Sequence, residues 1–133
     1  MKISFSLRNL NRNSGSKYTS RCGNLTCVKR KNHESDECDA MLADHYLFYL
    51  SFENSFCDDY VTEKLFRPLR LGVVPVVLGG AHYSQFAPPG SYIDVLDFAS
   101  VQQLAAHLSE LAANRRHYAR HLQWRRHFRV PDR

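Results

Sequence analysis

The chain has 133 residues, of which 44% are hydrophobic and 23% are charged, values close to the averages for a soluble globular protein of one domain. No stretch approaches the roughly 20 apolar residues that cross a bilayer, and the apolar part of the first residues is too short for a signal peptide. If the parent protein is bound to a membrane, we therefore expect its anchor to lie outside this chain.

The net charge of +5 is concentrated near the two ends. Residues 8–31 carry seven basic side chains and no acidic one, and residues 115–133 carry seven arginines against a single aspartate. Such blocks attract anionic partners, either the phosphates of a nucleotide sugar or a nucleic acid. Neither block has aromatic residues at the regular spacing of a nucleic-acid binder. A solvated tail and a solvated helix face are the favoured interpretation, and no nucleic-acid partner is predicted.

The four cysteines are even in number but form no CxxC pair. Cys22 and Cys27 stand at the long end of zinc-ligand spacing, and no histidine pair follows nearby to complete a site. A glycosylation sequon at Asn24 lies between them. Together these features favour an oxidising lumenal compartment and one or two disulfides.

The first 36 residues are polar and have no sustained apolar period. We predict that residues 1–36 are an irregular or poorly ordered basic segment, or the remnant of an element whose partners lie elsewhere. The predicted domain therefore spans residues 37–133. It opens with a short helix at residues 38–44 and a buried strand at residues 46–52, where every position except Ser51 is aromatic or leucine.

A helix is predicted after this strand. Asp58 and Asp59 offer a cap and negative charge for a helix whose first turn includes residues 60–62. Pro68 should kink or end its first section, because proline removes a donor and clashes with the preceding turn. Gly72 should close the helix.

Residues 73–78 form a second buried strand, which we expect to be irregular at Pro75 or to meet a loop there, because proline disfavours a central ladder position. Residues 48–80 thus have the order strand, helix, strand, which is typical of a parallel sheet in an α/β protein. Ligands of such sheets bind at the carboxyl ends of the strands.

The rest of the domain repeats this alternation. A third short strand is predicted at residues 92–95, and Ser100 caps a helix whose leucines recur at helical spacing: Leu104, Leu108 and Leu111. A second helical stretch covers roughly residues 115–128. The expected fold is a three-layer α/β domain with a small parallel sheet.

Polar residues stand where the first predicted strand meets the following helix. Glu53 and Asn54 form either a polar socket at the sheet edge or a strand-end turn in which Asn54 bonds local backbone. Glu63 and Lys64 either accept sugar hydroxyls and add charge to a phosphate site at a helix N-terminus, or belong to a solvated helix face. Tyr60 likewise packs against its neighbours or contacts a ligand.

No metal site is predicted. His117 and His121 share a helix face at a metal-ligand spacing, but they sit among arginines without a carboxylate or thiol, so a surface pair is favoured. The sequence has no GxGxxG, Walker lysine, nucleophile elbow or Asp-x-Asp pair. Phosphate binding would therefore use side-chain cations and backbone donors.

Three segments, in this order and spacing, resemble the α1,3-fucosyltransferase family, family ten of the glycosyltransferases, and are most similar to its invertebrate members. They are FENS at residues 52–55, DYVTEK at 59–64 and VPVVLG at 74–79. The segment SYID at 91–94 and Trp124 fit the same pattern. The resemblance covers about residues 37–128.

The family has two Rossmann-like domains that face a cleft, an arrangement called GT-B, and the chain resembles the C-terminal, donor-binding domain. The resemblance implies transfer of fucose from GDP-fucose to the 3-hydroxyl of a GlcNAc residue on a glycoprotein glycan, with inversion. It implies no obligatory metal, with a divalent cation at most stimulatory. It also implies a membrane-anchored parent enzyme in the Golgi lumen.

By position, the resemblance implies that Asn54, Tyr60, Glu63 and Lys64 line the GDP-fucose site. Lys64 would neutralise the diphosphate leaving group, and Glu63 would hold ribose or fucose hydroxyls. This agrees with the chemistry, because a departing diphosphate gains charge that needs a cation where no metal is held.

Two parts of the family's site have no assigned residue in this chain. In the family, an upstream arginine also binds the diphosphate. Arg8, Arg12 and Arg21 are the candidates for it in this chain, and Arg21 is the one that we predict. The general base is a glutamate of the N-terminal domain, so no catalytic residue is assigned here, and an inverting transfer needs such a base. The alternative function is a non-catalytic nucleotide-sugar-binding or interaction module that lacks the acceptor domain.

Overall fold

The computed structural model describes residues 3–5, 19–22, 25–28 and 37–131. The strands in these ranges are β1 (Ile3–Phe5), β2 (Thr19–Cys22), β3 (Leu25–Val28), β4 (Phe48–Phe52), β5 (Val74–Leu78) and β6 (Ile93–Asp94). The α-helices are α1 (Glu37–His45), α2 (Glu63–Leu71), α3 (Val101–Ala113) and α4 (Arg115–Arg120). Short 3₁₀ turns lie at Tyr83–Gln85, Val95–Asp97 and Gln123–Arg126.

Four strands form one parallel sheet in the order β1-β4-β5-β6, and β2 and β3 pair as a separate antiparallel hairpin. The α/β class and the small parallel sheet flanked by helices are confirmed. The strand–helix–strand unit predicted from residues 48–80 is β4, α2 and β5. Phe48 faces Val74 across the β4–β5 ladder, and Phe52 faces Leu78 at its carboxyl end.

Helices cover both faces of the sheet, which gives the predicted three layers. On one face, Phe48, Val74 and Val76 pack with the buried leucines of α3. The other face carries α1 and α2, where Val77 packs with two leucines of α2. Successive strand residues point to opposite faces, so the continuous apolar runs of β4 and β5 supply both cores.

The helix α2 begins at Glu63, so the prediction that its first turn includes residues 60–62 is wrong. Asp59 has a left-handed backbone, with φ of 56°, which a helix cannot include. Thr62 is the N-cap instead, and its side chain accepts a hydrogen bond from the Lys64 amide. Asp58 and Asp59 belong to a turn before the helix rather than to its cap.

Pro68 lies inside α2 without ending it, so of the two expected effects the end of the helix at this residue is wrong. Proline has no N–H, so the carbonyl of Lys64 one turn earlier loses its helical partner. The Ser51 hydroxyl donates to that carbonyl at 2.7 Å from the neighbouring strand β4. The helix continues to Leu71 and ends, as predicted, at Gly72, whose φ is 73°.

Pro75 also sits in a regular strand, so the expected irregularity is absent. The Val74 N–H donates to the Leu47 carbonyl on the β4 side. The nitrogen of Pro75 therefore faces the opposite side, where β6 begins only at Ile93, opposite Val76. No ladder bond is lost, because β6 does not extend to the position opposite Pro75 and so has no carbonyl there that needs a donor.

The ends of the chain differ from the sequence-based expectation in two places. Three short strands lie within residues 1–36, which were expected to be irregular, while the domain boundary at residue 36 stays a prediction. The helical stretch expected at 115–128 is divided into α4 and a 3₁₀ turn. The Ser100 cap of α3 is confirmed, because the Ser100 hydroxyl accepts a hydrogen bond from the backbone N–H of Gln103.

The cysteines agree with the expectation of at least one disulfide. Cys38, at the start of α1, is disulfide-bonded and buried. Cys57 is an exposed free thiol in the loop after β4. The side chains of Cys22 and Cys27 lie outside the part of the chain that the structure describes.

Candidate functional site

The carboxyl ends of three neighbouring strands bring polar side chains to one edge of the sheet. β4 is followed by Glu53 and Asn54, β5 by Gly79, and β6 ends at Asp94. The Glu53 N–H donates to the Leu78 carbonyl at 2.9 Å, so the ladder between β4 and β5 continues one residue past the strand. Glu53 is thereby fixed beside the last residue of β5.

A buried ion pair between Glu53 and Lys64 lies at this edge. The Lys64 Nζ lies 3.4 Å from the Glu53 Oε2, and the side chains of Lys64 and Glu53 are only 6% and 1% exposed. Buried charges are stable only when they are paired and hydrogen-bonded. Of the two interpretations of Glu53, the structure supports a polar socket rather than a simple strand-end turn.

Thr62, the residue immediately before α2, completes the socket. Its N–H donates to the Glu53 Oε1 at 2.9 Å, and its hydroxyl lies 2.9 Å from Oε2. The same hydroxyl oxygen is 3.4 Å from the Lys64 Nζ. The N-cap of α2, the end of β4 and the Lys64 ammonium are therefore one hydrogen-bonded unit at a helix N-terminus, which is an environment suited to an anion.

The other predicted donor-site residues lie on the surface beside this socket. Asn54 and Glu63 are exposed and Tyr60 is 38% exposed. The hydrogen bonds between Glu53 and Thr62 join the two ends of the loop that carries Asn54 and Tyr60. Glu63 follows this loop as the first residue of α2. These four predicted residues thus flank one tied loop, with Lys64 buried and the other three accessible.

The candidates for the upstream phosphate contact are not placed. Arg8 and Arg12 lie outside the described residues. The backbone of Arg21 belongs to β2, but the Arg21 side chain is outside the part of the chain that the structure describes. The assignment of Arg21 stays a prediction.

Two glycines after β5 allow the loop to lie close to the sheet edge. A Cβ on Gly80 would stand 2.9 Å from the Cys57 carbonyl oxygen. A Cβ on Gly79 would overlap the Tyr83 hydroxyl and would be 3.3 Å from the Glu53 Cγ. A larger residue at either position would collide with these atoms, so the close approach of the loop requires glycine.

Tyr83 and Asp94 belong to this edge, and the sequence analysis missed both. The Tyr83 hydroxyl is buried without a hydrogen-bond partner. Burial, followed by the charges of Glu53 and Asp94, raises the pKa of Tyr83 to about 12. Burial also raises the pKa of Asp94 above its usual value, partly opposed by the hydrogen bond from the Leu96 N–H. A tyrosine shortly after the Gly-Gly pair was the available signal, and His82, the residue before it, is exposed.

Within the described residues there is no group of three or more His, Cys, Asp or Glu side chains that could hold a metal ion. The His121 Nδ1 lies 2.7 Å from the Gly90 carbonyl oxygen, and His117 is 3.9 Å from a Glu110 carboxylate oxygen. The two histidines therefore contact different neighbours. The described helices also include none that is long and apolar enough to cross a membrane.

A cleft of about 350 Å³ lies at the opposite end of α2, away from the socket. It is lined by apolar residues and three arginines: Leu69, Arg70, Trp124, Arg125, Phe128, Arg129 and Val130. The Arg125 guanidinium donates to the Arg70 carbonyl at 3.4 Å, near the end of α2. A cation is favourable at this position, because the C-terminus of a helix carries partial negative charge. None of the predicted donor-site residues Asn54, Tyr60, Glu63 and Lys64 lines this cleft.

Comparison with known proteins identifies relatives across almost the whole chain. The family model described as glycosyltransferase family 10 (fucosyltransferase), C-terminal, matches residues 8–133. The alpha-(1,3)-fucosyltransferase C of Drosophila melanogaster is 48% identical over 109 residues, which are 82% of this chain and 25% of that protein. The alpha-(1,3)-fucosyltransferase 4 of Mus musculus is 51% identical over 88 residues, 64% of this chain and 20% of that protein.

Solved structures agree with these matches. A crystal structure of an alpha1,3-fucosyltransferase with GDP-fucose is similar with a TM-score of 0.58 and 26% identity, over 64% of this chain and 25% of that chain. A structure of alpha1,3-fucosyltransferase with GDP gives a TM-score of 0.60 and 25% identity, over 67% of this chain and 26% of that chain. The chain thus spans about a quarter of the relatives that it matches. The parallel sheet, the order of the three motifs and the matched family model lead to one conclusion: the chain belongs to glycosyltransferase family 10, the fucosyltransferases, of which it carries the C-terminal part.

Proposed function

We propose that this chain is the donor-binding part of an inverting α1,3-fucosyltransferase, which transfers fucose from GDP-fucose to the 3-hydroxyl of a GlcNAc residue on a glycoprotein glycan. The observation that carries the proposal is the Lys64 ammonium, held at the N-terminus of α2 and at the carboxyl edge of a parallel sheet. Both features favour a bound phosphate. The relatives and the structures solved with GDP-fucose and GDP support the same donor.

Lys64 would act on the leaving group. When the acceptor oxygen forms its bond to the fucose anomeric carbon, the bond from that carbon to the diphosphate oxygen breaks and its electron pair stays on GDP. The diphosphate therefore gains negative charge in the transition state, and a positioned ammonium stabilises it. Two of the three ammonium hydrogens have partners among the described residues, at the long distance of 3.4 Å.

The exposed residues around the socket would bind the rest of the donor. Glu63 offers a carboxylate for ribose or fucose hydroxyls, and Asn54 and Tyr60 offer an amide and a phenol on the tied loop. Arg21 would add a second cation to the diphosphate. The proton of the acceptor hydroxyl would go to a carboxylate of the N-terminal domain of the parent enzyme, so the acceptor specificity would also reside there.

We infer the cellular setting and cofactor requirement from the family. The parent enzyme would be a membrane-anchored protein of the Golgi, with this domain in the lumen. The disulfide at Cys38 is compatible with such an oxidising compartment. No metal would be obligatory, and a divalent cation would at most stimulate transfer.

The proposal is tested by isothermal titration of the purified chain with GDP and GDP-fucose. Replacing Lys64 alone would leave Glu53 as an unpaired buried charge, which is strongly destabilising. The informative variant is therefore Glu53→Gln with Lys64→Met, which removes both charges together. We expect it to stay folded by circular dichroism and to bind GDP at least about tenfold more weakly, since a hydrogen bond from a charged group is lost.

Arg70→Met is the matched control, because Arg70 is a cation at the other end of the same helix. It should bind GDP as the unaltered chain does. Equal GDP affinity in all three proteins would contradict the role of Lys64. A folded chain that binds neither GDP nor GDP-fucose would contradict the proposed function, and donor binding without transfer to a GlcNAc acceptor would favour the non-catalytic module for the isolated chain.

A further inference from the structure

The inference begins with a buried hydroxyl that has no partner. Tyr83 is 3% exposed, and its hydroxyl is one of two buried side-chain polar atoms without a hydrogen bond in the described part of the chain. A buried polar group without a partner destabilises the folded state, so such groups are rare and call for an explanation. The other one, the Trp124 Nε1, lies on the 3₁₀ turn at Gln123–Arg126, away from the socket.

The Tyr83 hydroxyl is a neighbour of the Glu53 side chain. Both flank Gly79, where an added Cβ would overlap the hydroxyl and touch the Glu53 Cγ. The Glu53 charge is also one of the causes that raise the pKa of Tyr83, so the phenol keeps its proton at any physiological pH. A permanent O–H donor thus lies near the side chain of the glutamate that holds Lys64.

The carboxylate already has its partners, but the bond from Lys64 is the weakest of them. The Thr62 N–H is 2.9 Å from Oε1, whereas the Lys64 Nζ is 3.4 Å from Oε2. Ion-paired hydrogen bonds are usually about 2.7–2.9 Å long. The Thr62 hydroxyl lies within 3.1 Å of both oxygens but has a single proton, so it can serve only one of them at a time.

We propose that Tyr83 is a positioning residue that takes the place of Lys64 on Glu53 when the donor binds. The Lys64 ammonium turns from the Glu53 Oε2 to the donor diphosphate, and the Tyr83 O–H donates to the oxygen that it leaves. Glu53 remains an ionised and hydrogen-bonded carboxylate throughout. The inference rests on the proposed function, because it assumes that Lys64 binds the diphosphate.

The exchange explains why a destabilising hydroxyl is placed at this position. Without it, movement of Lys64 would leave the buried Glu53 charge with its two bonds from Thr62 but without the cation and without the third donor, which is costly. The unliganded state therefore carries the unpaired hydroxyl, and the liganded state does not. A hydroxyl that only filled space would have no reason to affect nucleotide affinity and stability in opposite directions.

The test is Tyr83→Phe, measured in the 133-residue chain by thermal unfolding without ligand and by titration with GDP. We expect the Tm to rise by about 2–5 °C, because an unpaired buried hydroxyl is removed. We expect GDP to bind roughly tenfold more weakly, because a hydrogen bond to a charged group is missing in the complex. The affinity for guanosine, which has no phosphate and is followed by NMR titration, should not change.

Tyr92→Phe is the matched control, since Tyr92 lies beside Tyr83 with ring centroids 5.8 Å apart and its hydroxyl is not among the unpartnered buried atoms. It should bind GDP normally. A Tyr83→Phe chain with unchanged GDP affinity, an equal loss for GDP and guanosine, or a lowered Tm would overturn the exchange while the proposed function stood. Absence of GDP binding in the folded unaltered chain would instead overturn the proposed function, and the exchange with it.

Discussion

Glu53, Lys64 and Tyr83 show how single side chains at the sheet edge depend on one another. Glu53 accepts from the backbone and side chain of Thr62 and from Lys64, so its charge is compensated by groups of α2. A buried ion pair is not in itself a source of stability, because desolvation opposes the attraction between the charges. Its presence at the carboxyl edge is therefore better explained by a requirement for a fixed cation there.

The pKa of Tyr83 gives a prediction at the residue scale. Its value of about 12 in the folded chain exceeds the ordinary 10.0, so the folded state holds this proton more tightly than the unfolded state. The stability that this contributes is complete below pH 10 and is lost as the pH rises through 12. The difference in stability between Tyr83→Phe and the unaltered chain, measured by urea unfolding, should therefore widen between pH 10 and 12. A difference that stays constant over this range would contradict a raised pKa.

At the scale of elements, α2 is shaped as much by its neighbours as by its own sequence. Thr62 caps it, Gly72 ends it, and Pro68 leaves one carbonyl inside it without the usual helical donor. The hydroxyl of Ser51 in β4 supplies the missing donor at 2.7 Å. The same helix is tied to α1 by Arg67, whose Nε donates to the Asp39 Oδ1 at 2.7 Å. A polar residue in an otherwise apolar strand is thus matched to a proline in the next helix.

The Ser51 bond predicts a specific pattern of rescue. Ser51→Ala should lower the free energy of unfolding by about 1–3 kcal/mol, because the Lys64 carbonyl is left buried without a partner. Pro68→Ala restores an N–H that can bond that carbonyl. The double variant should therefore lose less stability than the sum of the two single variants, as measured in a double-mutant cycle by chemical unfolding. Strict additivity would show that Ser51 does not act through the Lys64 carbonyl.

At the scale of the whole molecule, the carboxyl edge combines the polar socket with exposed aromatic side chains. Phe56 is 64% exposed and Phe52 is 39% exposed, close in sequence to Tyr60. Phe128, which is 54% exposed, lies instead at the cleft beside the C-terminal end of α2. A cluster of exposed aromatic residues next to a binding site is typical of a surface that another domain or molecule covers.

The isolated chain should accordingly associate with itself through this edge. Phe56→Ser should weaken self-association roughly tenfold, because a large apolar side chain no longer contributes to the contact. Phe128→Ser removes a comparably exposed aromatic residue at the opposite end of α2 and should have little effect. Sedimentation equilibrium measures both. If the two variants associate equally, the carboxyl edge is not the contact surface.

The sequence was sufficient for the features that follow from local patterns. The apolar runs of β4 and β5 predicted a parallel sheet because strands buried on both faces need apolar residues at every position. Leu104, Leu108 and Leu111 predicted a helix by their spacing, and all three are buried. The three motifs were sufficient to predict the family and to direct attention to the stretch from Glu53 to Lys64.

Tertiary structure decided the features that depend on contacts between distant residues. Pro68 and Pro75 were both expected to interrupt their elements. The donor missing at Pro68 is replaced by the Ser51 hydroxyl, and Pro75 faces a side of the strand where β6 has not yet begun, so no donor is needed there. The burial of Lys64, its pairing with Glu53 and the unpaired hydroxyl of Tyr83 likewise arise only when β4, β5 and α2 are packed together. The sequence by itself determined where most of the elements lie and which stretch carries the predicted site, because periodicity and local bonding are properties of neighbours along the chain. Which polar group is paired, which is exposed and which lacks a partner was decided by the fold, because hydrogen bonding and desolvation depend on neighbours in space.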